Sequence, residues 1–337
     1  MTAASHARRL RALADPAPGR VLHVLCVLGI PELLLRGAST GADLAVAVGA
    51  DPSALHRVLR VAAALDVVAE DPPGRWQLLP AGELLCPGVP GGLHAEFSDN
   101  DLFAVWTEFA HSVRTGEPCY ERMFGAPVFT RLQRAPERRE AFQRHMAERA
   151  SGVYGPLVGL PVWPTDGVLL DVAGGTGLLL AMLLAPRPRL QGVLFELPEV
   201  AAMARLDGTP DLRSRTRLVA GDVFTDRVPT GDVAVLASVL HDYPDAEAVR
   251  ILRECADSTN RVLLVERVLP VGGDPYGGFL NDLLMLAMCG GQERTEGEWR
   301  ALVECAGLCL RGVHAASGTD LAVIECVPRR PPATSHG

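Results

Sequence analysis

The sequence contains no lysine, and all 32 basic residues of the 337-residue chain are arginines. This absence excludes a lysine Schiff base, a P-loop lysine and the phosphate-binding lysine of protein kinases. The 40 acidic residues outnumber the arginines, and a net charge of −8 removes the basic field that non-specific nucleic-acid binding requires. Hydrophobic residues make up 48% of the chain, which is enough for two domains with packed cores.

Cysteine pairs at metal-binding or redox spacing are also missing. The 8 cysteines are scattered, which favours reduced thiols in apolar surroundings. Met1–Arg11 is polar and arginine-rich, unlike a secretion signal. The apolar stretches Val21–Leu35 and Val168–Ala185 are interrupted by charged residues, proline or glycine, and this favours protein core over a membrane span. We therefore expect a cytoplasmic protein that has neither a membrane nor a nucleic acid as partner.

Residues 1–100 have the outline of a winged helix. Three helices are predicted there, over Arg20–Leu35, Thr40–Val48 and Ser53–Leu65. A strand, a turn and a second strand follow over residues 67–78. The third helix offers only one histidine and two arginines for contacts with DNA, so pairing of subunits is favoured over DNA reading. The prediction is a mainly helical dimerisation domain.

The rest of the chain divides into a helical connector, an α/β domain and a tail. The connector, residues 101–160, carries aromatic residues and methionine at helical spacing, which suit either a pocket wall or plain core. In residues 161–330, short apolar runs alternate with helices, which predicts a doubly wound, Rossmann-like α/β sheet. The last two predicted strands, Leu310–His314 and Ala322–Val327, form an antiparallel hairpin at its edge. Residues 331–337 are the tail.

Glycines and acidic residues gather at the predicted carboxyl edge of this sheet. A strand that ends near Asp171 leads into the segment Ala173–Gly177, where glycines let a ligand approach the backbone. Glu196 follows the next strand, about twenty residues beyond the glycines, where an acid can bind ribose hydroxyls. Asp222 follows the third strand. Several carboxylates without a lysine suit a cationic cofactor that carries no phosphate, such as S-adenosylmethionine.

His241 is a candidate general base. It follows the apolar strand and turn Val233–Leu240, and so lies at the same edge. A phenol with a pKa of about 10 is a poor nucleophile until a base removes its proton. A role in capping the predicted helix Ala246–Asp257 is the alternative. Asn281 and Asp282 could in principle bind magnesium, but their apolar helix, Phe279–Met288, disfavours this.

Six segments, in this order along the chain, resemble the plant-type O-methyltransferase family. This family includes caffeic acid O-methyltransferase and bacterial enzymes that tailor aromatic antibiotics in secondary metabolism. The segments are the winged-helix start, Asp171–Gly177, Phe195–Val200, Gly221–Phe224, Leu240–Asp245 and Gly290–Glu296. The resemblance implies a metal-independent, homodimeric O-methyltransferase. Such an enzyme methylates a phenolic hydroxyl of a small aromatic or polyketide-type molecule and releases S-adenosyl-L-homocysteine.

The resemblance also implies roles for individual residues. His241 would be the catalytic base, with Glu266 and Glu296 beside it. The implied cofactor-binding residues are Asp171, Ala173, Gly174, Gly175, Glu196, Leu197, Asp222, Val223, Phe224 and Ala237. The implied substrate-binding residues are Trp106, Phe142, Met146, Asp242, Asn281, Met285 and Met288. Ala173 stands where the family has glycine, which narrows the turn but need not close it. Ala237 stands where the family often has lysine or serine, so one cofactor contact is missing and we expect weaker cofactor binding.

Two other functions stay open at this point. The scaffold could carry diverged chemistry, such as hydroxylation or decarboxylation, on a similar substrate. Retention of His241, Glu266 and Glu296 argues against this, and formation of S-adenosylhomocysteine would decide it. A winged-helix regulator that senses a small ligand is the other alternative, and it predicts salt-dependent DNA binding.

Overall fold

The computed structural model describes residues 3–37, 39–206, 210–272 and 278–329, and the predicted tail 331–337 lies outside them. The chain separates into two compact units, residues 1–103 and 104–337. Among the described residues, no helix combines the length and the apolar character that a membrane crossing requires.

The first unit combines short helices with a small antiparallel sheet. Its elements are α1 (Ala3–Ala14), α2 (Ala17–Val27), α3 (Ile30–Leu35), β1 (Ser39–Thr40), α4 (Gly41–Val48), α5 (Pro52–Ala64), β2 (Val68–Glu70), β3 (Arg75–Leu78), α6 (Pro80–Glu83) and α7 (His94–Ser98). The strand order is β1-β3-β2, and Trp76 of β3 is buried in the core. The side chain of Asp51 caps α5, as predicted, by accepting a hydrogen bond from the Ala54 amide.

The prediction of one continuous helix over Arg20–Leu35 is wrong. Gly29, with a φ of 68°, separates α2 from α3. Because this left-handed conformation suits glycine and interrupts a right-handed helix, the chain changes direction there.

The second unit begins with a run of helices. They are α8 (Asn100–Ala104, which crosses the division between the units), a 3₁₀ helix (Val105–Thr107), α9 (Phe109–Thr115), α10 (Cys119–Phe124), α11 (Val128–Arg134), α12 (Pro136–Tyr154) and a 3₁₀ helix (Gly155–Leu157). The longest, α12, begins with Pro136, whose fixed φ suits the first turn of a helix.

A mixed sheet covered by helices forms the rest of this unit. Its elements are β4 (Asp166–Val172), α13 (Leu178–Leu184), β5 (Arg189–Glu196), α14 (Pro198–Ala201), α15 (Pro210–Ser214), β6 (Thr216–Ala220), β7 (Val233–Ala237), a 3₁₀ helix (Leu240–Asp242), α16 (Asp245–Ser258), β8 (Val262–Leu269), α17 (Phe279–Met288), β9 (Arg294–Thr295), α18 (Glu296–Cys305), β10 (Leu308–Ala315) and β11 (Leu321–Pro328). The strand order is β10-β11-β8-β7-β4-β5-β6, with β9 pairing with β8.

The predicted sheet topology is confirmed. Strands β6, β5, β4, β7 and β8 pair in parallel, whereas β11 pairs antiparallel with both β8 and β10. Alternate residues of β4 enter different cores: Leu170 packs with Ile251 and Trp299, and Leu169 packs with Leu180. Helices cover both faces of the sheet. A ligand would therefore bind at the carboxyl ends of the parallel strands, where polar side chains can reach it.

Candidate active site

A glycine turn at the end of β4 forms the floor of a cavity of about 350 Å³ in the second unit. A Cβ on Gly174 would overlap the carboxyl group of Asp171, so this position has no room for a side chain. The amide of Gly175 donates a hydrogen bond of 3.0 Å to Oε2 of Glu196, which ties the turn to the end of β5. Ala173 adopts a φ of 54°, a left-handed conformation that glycine would adopt more readily.

Two buried carboxylates face this turn. Burial and the charge of Glu196 raise the pKa of Asp171 to about 7, and a backbone hydrogen bond only partly offsets this. No described side chain donates a hydrogen bond to the carboxylate of Asp171. Burial likewise raises the pKa of Glu196, against hydrogen bonds from the amides of Leu197 and Gly175. An unpaired acid in a roomy cavity is a site for a cationic group of a ligand.

The loop after β6 forms the neighbouring wall. The Phe224 amide donates to Oδ1 of Asp222 at 2.9 Å, and this bond fixes the turn. The ring of Phe224 meets Tyr243 edge to face, with centroids 5.3 Å apart. Every residue that the sequence analysis assigned to cofactor binding, including Val223 and Ala237, lines this single cavity.

His241 lies on the 3₁₀ helix after β7 and is almost fully buried. Its Nδ1 is 3.1 Å from Oε2 of Glu266 and 3.4 Å from Oε1 of Glu293, and its Nε2 is 3.6 Å from Oδ1 of Asp242. Burial disfavours the charged ring, but the carboxylates of Glu266, Asp242 and Glu293 outweigh burial and raise the pKa of His241 to about 9. Three carboxylates therefore surround a buried imidazole ring.

Glu266 is itself held in place. Its Oε1 accepts hydrogen bonds from the amides of Val239 at 2.9 Å and Leu240 at 2.8 Å. The carboxylate in the middle of β8 therefore fixes the backbone that carries His241, and its Oε2 lies 3.1 Å from Nδ1 of the ring. This arrangement brings together two of the three predicted catalytic residues.

The prediction that Glu296 lies beside His241 is wrong. Glu296 is exposed, is the first residue of α18 and pairs with Arg300 at 3.0 Å. Thr295 and Glu298 form a capping box that starts this helix, so the side chain of Glu296 projects outward from its first turn. The second carboxylate belongs to Glu293. The Thr-x-x-Glu pattern in the sequence marks the helix start and could have excluded Glu296.

The loop before β9 also supports His241 through its backbone. A Cβ on Gly291 would overlap the carbonyl oxygen of His241, so the two backbones pack in direct contact. The Gln292 amide donates to the same carbonyl oxygen at 2.9 Å. Sequence reasoning assigned no role to Gly291, although the paired glycines at 290 and 291 are a signal of close backbone approach.

The predicted acceptor residues divide into two groups. Phe142, Met146 and Asp242 line the cavity. The other four do not contribute to its wall: they are Trp106, Asn281, Met285 and Met288. Trp106 is exposed against Phe109, and Met288 packs in a small core around Tyr120. Further residues that line the cavity had no predicted role, and they include Phe129, Gln143, Tyr154, Ser238 and Tyr243.

The geometry also bears on metal binding. Donor atoms of His241, Glu266 and Glu293 lie within 4.8 Å of one another, close enough to surround a small cation. Hydrogen-bond donors already contact these carboxylates, however, including the Asn281 amide at 2.6 Å from Oε1 of Glu293. Asp282 accepts a hydrogen bond from the Glu293 amide at 2.8 Å. Among the described residues, Nδ1 of His241 and the Oε2 atoms of Glu266 and Glu293 have no hydrogen-bond partner, so the other oxygen of each acid is the one that its hydrogen-bond donors hold in place.

Comparison with known families identifies two matching regions. Residues 106–309 match the O-methyltransferase domain, and residues 18–88 match the O-methyltransferase dimerisation domain.

Individual proteins are similar over most of the chain. An O-demethylpuromycin-O-methyltransferase of Streptomyces alboniger is 36% identical over 91% of this chain and 85% of its own. A phenazine O-methyltransferase of Lysobacter antibioticus is 32% identical over 91% of this chain and 92% of its own. The crystal structure of an O-methyltransferase from neocarzinostatin biosynthesis, in complex with S-adenosylmethionine and 2-hydroxy-5-methyl naphthoic acid, has a TM-score of 0.83 and 32% identity. That similarity covers 95% of this chain and 98% of the other.

Proposed function

This chain belongs to the plant-type O-methyltransferase family and is an S-adenosylmethionine-dependent O-methyltransferase, and we propose that it methylates a phenolic hydroxyl of a small aromatic or polyketide-type natural product. The named acceptors of similar proteins include a phenazine and a naphthoic acid. Phe142 and Met146 in the cavity wall supply an aromatic ring and a thioether, which suit a flat aromatic acceptor.

The carboxylates at the edge of the sheet fit the cofactor. S-adenosylmethionine supplies an electrophilic methyl group on a sulfonium ion. Asp171, with its unpaired buried carboxylate, would hold a cationic group, and Glu196 would accept hydrogen bonds from ribose hydroxyls. Asp222 and Val223 would contact the adenine. Glycine at position 174 leaves room for the carboxyl group of Asp171, which a Cβ there would displace.

The contact between His241 and Glu266 is the observation that carries the mechanism. A carboxylate 3.1 Å from Nδ1 favours the neutral tautomer that carries its hydrogen on Nδ1, and this tautomer has an unprotonated Nε2 that can accept the phenolic proton. Glu266 then stabilises the imidazolium that forms. Because the pKa of His241 is raised to about 9, its neutral form, and with it the rate, should increase as the pH rises towards 9.

Asp242 separates this ring from the cavity. It lines the cavity, and its Oδ1 is 3.6 Å from Nε2 of His241, whereas His241 itself is only 6% exposed. Burial raises the pKa of Asp242 to about 6, with the charge of His241 acting in the opposite direction. We infer that the acceptor hydroxyl first donates its single hydrogen to the carboxylate of Asp242 and then turns it to Nε2 of His241, which takes up the proton.

Replacing His241 by alanine tests the base assignment. Transfer of labelled methyl from S-adenosylmethionine to a panel of phenols should fall by about 10²-fold or more, while cofactor affinity stays unchanged. His314→Ala is a matched control, because His314 pairs with Glu325 at 3.4 Å on β10 and does not line the cavity. Wild-type turnover in the His241 variant would refute the assignment.

Two further measurements separate methyl transfer from its alternatives. Stoichiometric formation of S-adenosylhomocysteine and methylated phenol distinguishes transfer from hydroxylation or decarboxylation on the same scaffold. Unchanged turnover after exhaustive treatment with a chelator would support metal independence, whereas loss of turnover and its recovery with a divalent cation would contradict it.

A homodimer is the proposed assembly. Residues 18–88 match the family's dimerisation domain, so we assign subunit pairing to this region. In the connector, residues 101–160, helix α12 would form the side of the pocket that binds the acceptor.

A further inference from the structure

Tyr154 and Ser238 form a pair of hydroxyl groups in the wall of the cavity. Tyr154 is the last residue of α12, and Ser238 follows directly after β7. The hydroxyl of Tyr154 donates to Oγ of Ser238 at 3.2 Å. Both side chains line the cavity, although Tyr154 is buried. This hydrogen bond therefore joins α12 to the strand end from which the chain continues to His241.

The pair leaves one hydroxyl hydrogen for a ligand. The hydrogen of Tyr154 goes to Ser238, and the Ser238 hydroxyl carries a hydrogen of its own. Among the described residues, the Ser238 hydroxyl donates to no other group. Burial raises the pKa of Tyr154 to about 12, so the phenol keeps its hydrogen at neutral pH. The pair therefore acts as a hydrogen-bond donor, which suits a negatively charged group of a ligand.

The backbone at Ser238 adopts a conformation that serine rarely has. Its φ of 53° is left-handed, which costs a non-glycine residue about 1 kcal/mol. Strand β8 holds it there, because the Ser238 amide donates to the carbonyl oxygen of Val265 at 2.9 Å. Rare backbone geometry in a residue that lines a cavity is commonly retained for function. Ser238 is thus a candidate for contact with a ligand.

One group of the cofactor still needs a partner. S-adenosylmethionine carries an ammonium and a carboxylate on the same carbon atom, and Asp171 would hold the ammonium. The carboxylate of the cofactor must then lie close to Asp171 and contact hydrogen-bond donors, because another acid would repel it. The chain contains no lysine, so these donors must be arginine, hydroxyl or amide groups.

The hydroxyl pair lies close to Asp171. In the parallel pairing of β4 with β7, Asp171 is in register with Val235, three residues before Ser238. The charge of Asp171 is also one of those that raise the pKa of Tyr154 further, so the phenol and this carboxylate are near each other. A ligand that places its ammonium on Asp171 therefore brings its carboxylate within reach of Ser238.

Arg139 also lines the cavity, but it is engaged elsewhere. Its Nη1 donates to the carbonyl oxygens of Leu132 at 3.3 Å and Gln133 at 3.0 Å, at the end of α11. These bonds satisfy carbonyl groups that a helix leaves open at its last turn. The arginine is thus explained by the end of α11, whereas the Ser238 hydroxyl has no such explanation.

We propose that Ser238 binds the carboxylate of S-adenosylmethionine through its hydroxyl hydrogen, and that Tyr154 is a positioning residue that orients this hydroxyl. Asp171 and Ser238 together then hold both charged groups at the methionine end of the cofactor. This fixes the cofactor beside the 3₁₀ helix that carries His241. The inference rests on the proposed placement of the ammonium at Asp171, but it requires neither a phenolic acceptor nor a histidine base.

The test compares the affinities of three ligands, measured by isothermal titration calorimetry without an acceptor. The ligands are S-adenosylmethionine, its decarboxylated form, which lacks only the carboxylate, and 5′-methylthioadenosine, which lacks the whole amino-acid end. Ser238→Ala should weaken binding of S-adenosylmethionine by about 10-fold or more, because a hydrogen bond to a charged group is lost. It should leave the affinities for the other two ligands unchanged.

Two further variants give the same comparison by other routes. Tyr154→Phe should also weaken binding of S-adenosylmethionine alone, but by less, because it removes only the group that orients Ser238. If one of these two variants does not fold, the other supplies the comparison. Asp171→Asn should weaken binding of both ligands that carry the ammonium. Equal losses for S-adenosylmethionine and its decarboxylated form in the Ser238 variant would overturn the proposal.

Ser258→Ala and Tyr120→Phe are matched controls. Ser258 donates to the carbonyl oxygen of Val228 at 2.9 Å. The hydroxyl of Tyr120, a buried residue, accepts a hydrogen bond from Arg131. Neither Ser258 nor Tyr120 lines the cavity, so both variants should leave the three affinities unchanged.

Arg139→Met decides between the two possible donors. If only this variant loses affinity for S-adenosylmethionine relative to the decarboxylated form, the carboxylate binds at the arginine and the proposal is wrong. Adding Tyr154→Phe to Ser238→Ala should cause no further loss, because Tyr154 acts through Ser238. A further loss would contradict the orienting role of Tyr154. A wild-type protein that prefers the carboxylated ligand but methylates no phenol would instead refute the proposed function.

Discussion

At the glycine turn, Ala173 replaces the glycine of the family, and the backbone of the turn keeps its conformation. The resemblance implies glycine at position 173, and the structure keeps the left-handed backbone there with alanine, at a φ of 54°. Such a conformation costs a non-glycine residue about 1 kcal/mol. The strain lies in a residue that lines the cavity, where rare backbone geometry is commonly retained for function.

Ala173→Gly should therefore not destabilise the protein. Relief of strain offsets the greater entropy of unfolded glycine, so the free energy of unfolding should stay equal or rise by up to about 1 kcal/mol. Denaturant unfolding measures this change. In Ala185→Gly, where φ is −53° at the end of α13, the same substitution should lower stability by about 1 kcal/mol. Equal losses in both variants would contradict the strain at Ala173.

The carboxyl group of Asp171 should make cofactor affinity depend on pH. Its pKa is raised to about 7, and a cationic ligand binds the ionised form. Affinity for S-adenosylmethionine should therefore increase as the pH rises through 7 and level off above it. Isothermal titration calorimetry between pH 6 and pH 8 measures this.

Asp171→Asn should weaken binding and flatten the pH dependence. Asp166→Asn, at the exposed start of β4, is the control and should leave both unchanged. An unaltered pH dependence in the Asp171 variant would assign the titration to another group.

At the scale of elements, β9 and the loop before it determine where His241 lies. Arg294, which is buried, donates to the carbonyl oxygens of Leu240 and Tyr243 and so clamps the 3₁₀ helix that carries His241. Gly291 packs against that helix with no space for a Cβ. The position of His241 thus depends on an element about 50 residues later in the chain.

Gly291→Ala should displace this 3₁₀ helix while leaving the cofactor edge intact. A misplaced base costs about 10²-fold in kcat, whereas cofactor affinity should change little, because Asp171 and Glu196 lie on other strands. Gly297→Ala, near the start of α18, is the control, since a Cβ there has no contact closer than 4.0 Å. Equal effects of the two substitutions on kcat would argue against the backbone contact.

Helices and strands were predictable from the sequence where a local pattern of apolar residues or caps determines them. Apolar runs and helix caps locate the strands of the parallel sheet and the start of α5, and the acids at strand ends lie at the cavity as expected. The capping pattern of α18 could have excluded Glu296, but only tertiary packing brings Glu293, three residues earlier, to His241. Asn281 was assigned to the acceptor because a helix pattern does not show which neighbour a side chain contacts.

At the scale of the whole molecule, the absence of lysine is matched by heavy structural use of arginine. Arg215 donates to the carbonyl oxygens of Leu184, Arg187 and Leu190, and so ties the segment before β6 to the start of β5. A guanidinium has five donors in a fixed plane, so one side chain can satisfy several carbonyls. The composition predicted which lysine-dependent chemistries are excluded. Only the structure shows that an arginine such as Arg215 connects separate segments through hydrogen bonds to backbone carbonyl oxygens.

The surface of the first unit bears on how two copies of the chain would assemble. Apolar side chains of α2, α3 and α4 are exposed there, the most exposed being Val46 at 83%. These residues fall within the match to the dimerisation domain. Burying exposed valines and leucines between two copies would gain about 25 cal/mol per Å² of apolar surface.

Val46→Glu should therefore weaken the homodimer, because an interface that forms around position 46 would have to bury a carboxylate without a partner. We expect the dissociation constant to rise by about 10²-fold, measured by sedimentation equilibrium. The control is Val271→Glu, a fully exposed valine after β8 and outside the matched region, which should leave the dimer intact. If both variants remain dimeric at the same concentrations as the unmodified chain, the interface does not include α4.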